Sequence, residues 1–163
     1  MKEQKLRKKI KSYILFFMIG LILSGITAFP IETQLEIAVN HIDVFPLFIQ
    51  SWLLNVYTAV KSTNDAYPFI SYGTDWLAFA HIVIAVVFIG PYKDPVKNIW
   101  VIQFGMVACA MIFPLAFIAG PIRHIPFYWQ LIDCSFGVIG FLLLYRCYRY
   151  IKQLEIISST NVL

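Results

Sequence analysis

The chain has 163 residues, 60% of them hydrophobic and 13% charged, against about 45–50% and about 25% in ordinary soluble domains. That balance excludes a soluble globular fold and points to an all-α integral membrane protein. The net charge of +4 does not indicate nucleic acid, because the basic residues sit at the ends of apolar runs instead of forming one patch beside stacking aromatics.

In chain order, residues 1–11 form a basic arm with six Lys or Arg. The uncharged run 12–29, SYILFFMIGLILSGITAF, is long enough for span one. It lacks a small-x-small cleavage site in a suitable place, so a removed signal peptide is not expected.

Residues 30–74 make the one large segment outside the spans, with Glu32, Glu36, Asp43 and Asp65 set against Lys61. Thr33 and Glu36 have the spacing of a capping box, and Ile31, Leu35, Ala38 and Ile42 recur at helical intervals. A short amphipathic helix is expected there. A second is expected over 46–61, where Ile49, Trp52, Leu53, Val56, Tyr57 and Val60 form one stripe opposite Ser51, Asn55 and Thr58. Its polar face suits the outer membrane surface better than a fifth crossing. The stretch 62–74 reads as a loop.

Span two is expected over 75–92, short unless its edges join the helix, span three over 98–120 and span four over 127–145, followed by a tail over 146–163. Tight connections, GPYKDPVK and PIRHIP, separate the last three. Placing the N-terminus in the cytoplasm puts eleven of the 13 basic residues there and leaves only Lys61 and Arg123 outside. The expectation is therefore a multi-pass protein of the cell inner (plasma) membrane with both termini cytoplasmic and 30–74 outside.

Cys109, Cys134 and Cys147 form no CxxC pair, so neither a zinc ribbon nor a thioredoxin-like motif is present and no metal site is expected. Gly105, Cys109, Ala116 and Gly120 make a small-residue seam on span three, and Gly137 and Gly140 make one on span four, where these helices should pack.

Ionisable residues inside spans are costly and draw attention to function. At 1.5 Å per residue, His81 and Asp133 each lie roughly 9 Å below the outer ends of their spans. Asp133 shares a helical face with Gly137 and Gly140, which suggests that it points into the bundle. With Asp75 and Arg123 these residues define an expected outer-leaflet polar pocket. Such a pocket would suit proton handling, a quinone carbonyl or a lipid headgroup, and no cofactor is otherwise indicated. The structural alternative is that Asp75 caps a helix, that Arg123 pairs with Asp133 or Asp75, and that Gln103 bonds between helices.

Two functional classes follow. The first is a non-catalytic accessory subunit or scaffold, whose partners are the bilayer and a larger membrane protein or a second copy of the chain. The other is a membrane enzyme or proton- or quinone-handling protein using the pocket. The absence of any catalytic motif favours the first.

Overall fold

A computed structural model describes residues 2–160, and among these all regular structure is helical. The helices are α1 (Lys2–Ala28), α2 (Ile31–Asn40), α3 (Leu47–Ala66), α4 (Tyr72–Val87), α5 (Ile89–Lys93), α6 (Ile99–Ile122) and α7 (Phe127–Thr160). Four stretches are long and apolar enough to cross a membrane: Glu3–Ala28, Pro68–Lys93, Ile99–Ile122 and Phe127–Ser158. Each coincides with an expected span and is longer than expected.

The extra length has local causes. The basic arm does not precede the first helix but forms its first turns, with Arg7 Nε donating to Glu3 Oε1 at 3.0 Å across one turn. Span two gains residues at its start and is interrupted near its end, where α4 gives way to α5. Pro91 has no N–H to continue the helical ladder and its ring crowds the carbonyl four residues back. The last helix continues well past Tyr145, since RCYRYIKQLEIIS contains neither Gly nor Pro. Its 34 residues reach about 51 Å at 1.5 Å per residue, longer than a hydrocarbon core of about 30 Å.

The chain divides into two compact units, one comprising Met1–Ile19 with Ala85–Leu163 and the other Gly20–Ile84. In the first, α6 and α7 run antiparallel along the expected seam. A methyl group built on Gly105 would come 2.7 Å from Leu144 Cδ1, one on Gly137 2.8 Å from the Cys109 carbonyl oxygen, and one on Gly120 2.5 Å from Gln130 Cδ. Backbones approach this closely only where side chains are missing.

The same unit joins the first part of α1 to the last part of α7. Leu6, Ile10 and Ile14 are buried at four-residue intervals, as are Leu144, Cys147, Ile151 and Leu154 at intervals of three and four. The Cys147 thiol donates to the Ile10 carbonyl at 4.0 Å, and the Tyr13 and Tyr150 rings lie 5.8 Å apart. The two segments expected as a basic arm and a tail outside the spans thus bury a shared apolar seam. All three cysteines are free and buried, as small packing residues are.

In the second unit, α2 and α3 form a helical hairpin. Its first helix starts at Ile31 behind Pro30 with no side-chain cap, two residues ahead of the expected Thr33 box. The Pro30 carbonyl accepts the Gln34 N–H at 3.0 Å and sets that earlier start. The third helix runs on to Ala66, and a 3-10 turn over Pro68–Ile70 leads into α4 at Tyr72, so most of the expected 62–74 loop is ordered as helix. Asn64 explains this: its amide donates to Glu32 Oε2 at 2.5 Å and its carbonyl oxygen accepts the Ser71 hydroxyl. One side chain therefore ties α2, α3 and the approach to α4. The last turns of α1 meet α4 at Gly25, where a methyl group would come 2.7 Å from the Ala78 carbonyl oxygen.

Candidate functional site

The four residues singled out from the sequence fall in different units. Asp75 and His81 belong to Gly20–Ile84, and Arg123 and Asp133 to the other unit, so each pair is described within its own.

Asp75 lies in the first turn of α4, where a carboxylate is favoured by the helix dipole. It lines a recess of about 240 Å³ whose other walls are Phe29, Tyr72, Trp76 and Phe79. The rings meet edge to face, Tyr72 with Trp76 at 6.0 Å and Trp76 with Phe79 at 5.9 Å, so α4 carries a continuous aromatic ridge. His81 sits two turns further along. Its Nδ1 lies 2.8 Å from the Leu77 carbonyl oxygen, so the ring donates back into its own helix.

Arg123 follows the last residue of α6 and its side chain is exposed. Its backbone belongs to a tight helix stop in which the Ile125 N–H donates to the Gly120 carbonyl at 2.9 Å and the His124 N–H to that of Pro121 at 3.2 Å. That is the Schellman pattern, with His124 at the position that requires a left-handed backbone. His124 has φ 56°, the one positive value at a non-glycine residue among those described. His124→Gly is accordingly expected to raise the melting temperature slightly. Relief of the left-handed penalty, about 1–2 kcal/mol, is partly offset by the added freedom of the unfolded chain. A lower melting temperature in detergent would refute this account of the turn.

Asp133 departs most from expectation. The stripe of α7 that meets α6 runs through Gln130, Cys134, Gly137 and Leu144, all buried, and Asp133 lies on its shoulder, exposed. Sharing a turn with Gly137 was not enough to place the carboxylate in the seam, because the line of contact follows Cys134 on the far side. Nor does Arg123 pair with it: the ion pairs among the described residues are Arg7–Glu3 and Lys152–Glu155. Gln103, expected between helices, is also exposed.

Among the described residues the polar one that the fold does bury is Gln130, which was not singled out from the sequence. Gln130 is 4% exposed, packs on Gly120, and donates from Nε2 to the Ile125 carbonyl at 2.8 Å. It closes the connection between α6 and α7 from inside. Matching the two small-residue seams in antiparallel register would have set Gly120 opposite Gln130.

Outside the candidate spans, the Tyr57 hydroxyl accepts a hydrogen bond from Lys61 at 3.3 Å and raises the lysine pKa above its ordinary value. No group of three or more His, Cys, Asp or Glu side chains among the described residues is arranged to hold a metal ion. No protein family, curated protein or solved structure matches the chain.

Proposed function

We propose that the chain is a four-span protein of the inner (plasma) membrane, with both ends cytoplasmic and the α2–α3 hairpin on the outer face, acting as a non-catalytic accessory subunit or scaffold of a membrane complex. The observation that carries the subunit role is Asp133. An ionisable side chain on the exposed surface of a span is costly, about 2.5–3.5 kcal/mol at the bilayer centre and less at the roughly 9 Å depth of Asp133. It is retained where another protein surface covers it and supplies a hydrogen-bonding or basic partner. The exposed Gln103 adds a second polar group of the same kind on α6.

The hairpin supports the scaffold role. It is held by the Glu32–Asn64–Ser71 hydrogen bonds, and its tip presents Val44 and Leu47, which are 76% and 82% exposed. A rigid element with an apolar tip suits insertion among outer-leaflet headgroups or contact with a partner.

The orientation is tested by cysteine labelling. A cysteine at Ser62, an exposed position on α3, is expected to react with an impermeant maleimide added to intact cells. Reaction only after permeabilisation would reverse the topology. The subunit role is tested with Asp133→Leu and Asp133→Asn on native gels of mildly solubilised membranes. The expected result is full insertion, with Leu releasing the chain from a larger complex and Asn retaining part of the association. Migration of all three chains alike at the size of a lone chain removes the proposal.

A second reading rests on the aromatic recess at Asp75. A planar ring such as a quinone would stack against Trp76 or Phe79 with the carboxylate at its edge. Quinone co-purifying with the natural chain and lost on Trp76→Ala would favour that reading.

A further inference from the structure

Gln4, Arg7, Lys8 and Lys11 lie three, four and seven residues along α1, on one helical face. That face lines a cleft of about 250 Å³ whose other wall is Lys93, the last residue of α5, and Pro95 in the turn that follows. All six residues belong to one compact unit.

The walls are held from behind. Lys11 Nζ lies 5.2 Å above the centre of the Tyr92 ring, beside Lys93. The turn beyond α5 is closed by the Asn98 amide, which donates to the Gly90 and Asp94 carbonyls at 3.3 and 2.9 Å, and Pro95 is buried beneath it.

Four cations thus line one recess. The carboxylates nearest in sequence are already engaged: Glu3 takes Arg7 at 3.0 Å, and Asp94 Oδ1 accepts the Lys97 backbone N–H at 3.1 Å. Neither forms an ion pair with Lys8, Lys11 or Lys93 among the described residues. The cleft therefore holds excess positive charge, which an anion would relieve.

We infer that this cleft binds a phosphate-bearing anion, with Lys8, Lys11 and Lys93 supplying the ammonium contacts, while Arg7, whose Nε and Nη2 already meet Glu3, lines the cleft as half of an ion pair. The inference does not depend on the subunit role. Two sources share the chemistry, the headgroup of an anionic phospholipid and a soluble phosphate compound. Lys11 immediately precedes the uncharged run that begins at Ser12, and Lys93 ends a candidate span, so in the proposed topology the cleft lies at the level of cytoplasmic-leaflet headgroups.

The test is native mass spectrometry of the full chain in a neutral detergent with equal amounts of phosphatidylglycerol and phosphatidylcholine of matched acyl chains. The natural chain is expected to retain phosphatidylglycerol preferentially. Lys8→Gln with Lys93→Gln should weaken that preference about thirtyfold. Arg149→Gln with Lys152→Gln, which removes the same charge away from the cleft, should leave it unchanged. Should the first pair melt early in detergent, Lys93→Gln alone, at an exposed helix end, is expected to lose about fivefold.

Pyrophosphate distinguishes the sources. Retention of pyrophosphate that depends on Lys8 and Lys93 and competes with the lipid assigns a soluble ligand, and failure to displace the lipid assigns the headgroup. Equal losses in the two double variants, or no preference for either anion, overturn the inference.

Discussion

Gly137→Val is expected to lower the stability of the detergent-solubilised protein by about 3 kcal/mol, the upper end of the usual cost of overpacking. Position 137 faces a backbone atom: a methyl group there would stand 2.8 Å from the Cys109 carbonyl oxygen and 3.4 Å from Ile112. Unlike the end of a flexible side chain, a helix carbonyl cannot turn away, so α6 and α7 must separate along the whole contact from Gly105–Leu144 to Gly120–Gln130. Gly137→Ala gains helix propensity worth about 1 kcal/mol but meets the same carbonyl, and a smaller loss is expected. Gly20→Ala is the matched control, since nothing lies within 4 Å of its added methyl group; it should be neutral or stabilising. Thermal unfolding followed by size-exclusion chromatography measures all three. A Gly137→Val chain melting within about 2 °C of the natural one would contradict the close packing of this pair, as a loss of this size should move the transition several degrees.

Ile10→Ala is expected to have an effect of similar size by a different route. Ile10 is fully buried, as are Ile151 and Leu154, although all three lie beyond the uncharged runs in the sequence. In the proposed topology Ile151 and Leu154 lie in the cytoplasm and Ile10 at the hydrated headgroup level of the Lys8–Lys11 face, so burial is driven by release of apolar surface from water and not by packing alone. Truncating a buried Ile to Ala costs about 2–5 kcal/mol. The loss should be felt locally as opening of the α1–α7 extension. Because the arm contains six Lys or Arg, trypsin reports on that opening. The natural chain should resist cleavage near Lys8 and Lys9, and Ile10→Ala should be cut roughly thirtyfold or more faster, the factor that corresponds to about 2 kcal/mol. Ile151→Ala should behave alike, and the double variant should cost less than the sum, since the two residues belong to one seam. Rapid cleavage of the natural chain at these sites would contradict the buried α1–α7 seam.

The contrast between Gly137 and Asp133 explains which parts of the candidate site were legible. A glycine or cysteine seam at helical spacing marks close approach whatever the exact rotation, because any side chain on that face would obstruct it. Gly105, Cys109, Gly120 and Gly137 were found in that way, and the structure buries each of them. The orientation of Asp133 depended on a rotation of a few tens of degrees. Helical spacing alone assigns the residue to either shoulder of a contact line, and the line ran through Cys134 instead.

From the sequence alone came the number and order of apolar segments long enough to cross a membrane, and the small-residue faces by which two of them meet. Both follow from composition and local periodicity: apolar runs of about twenty residues with at most one charge have few alternatives, and seams repeat every three or four positions. Only the tertiary structure decided that the basic arm and the tail are helical continuations sharing a buried seam, that Gln130 rather than Asp133 is the buried polar group, and that Arg7, Lys8, Lys11 and Lys93 line one cleft. Each of these joins residues far apart in the chain. Ile10 and Cys147, Gly120 and Gln130, Lys11 and Lys93 are brought together by register between helices, which no local pattern encodes.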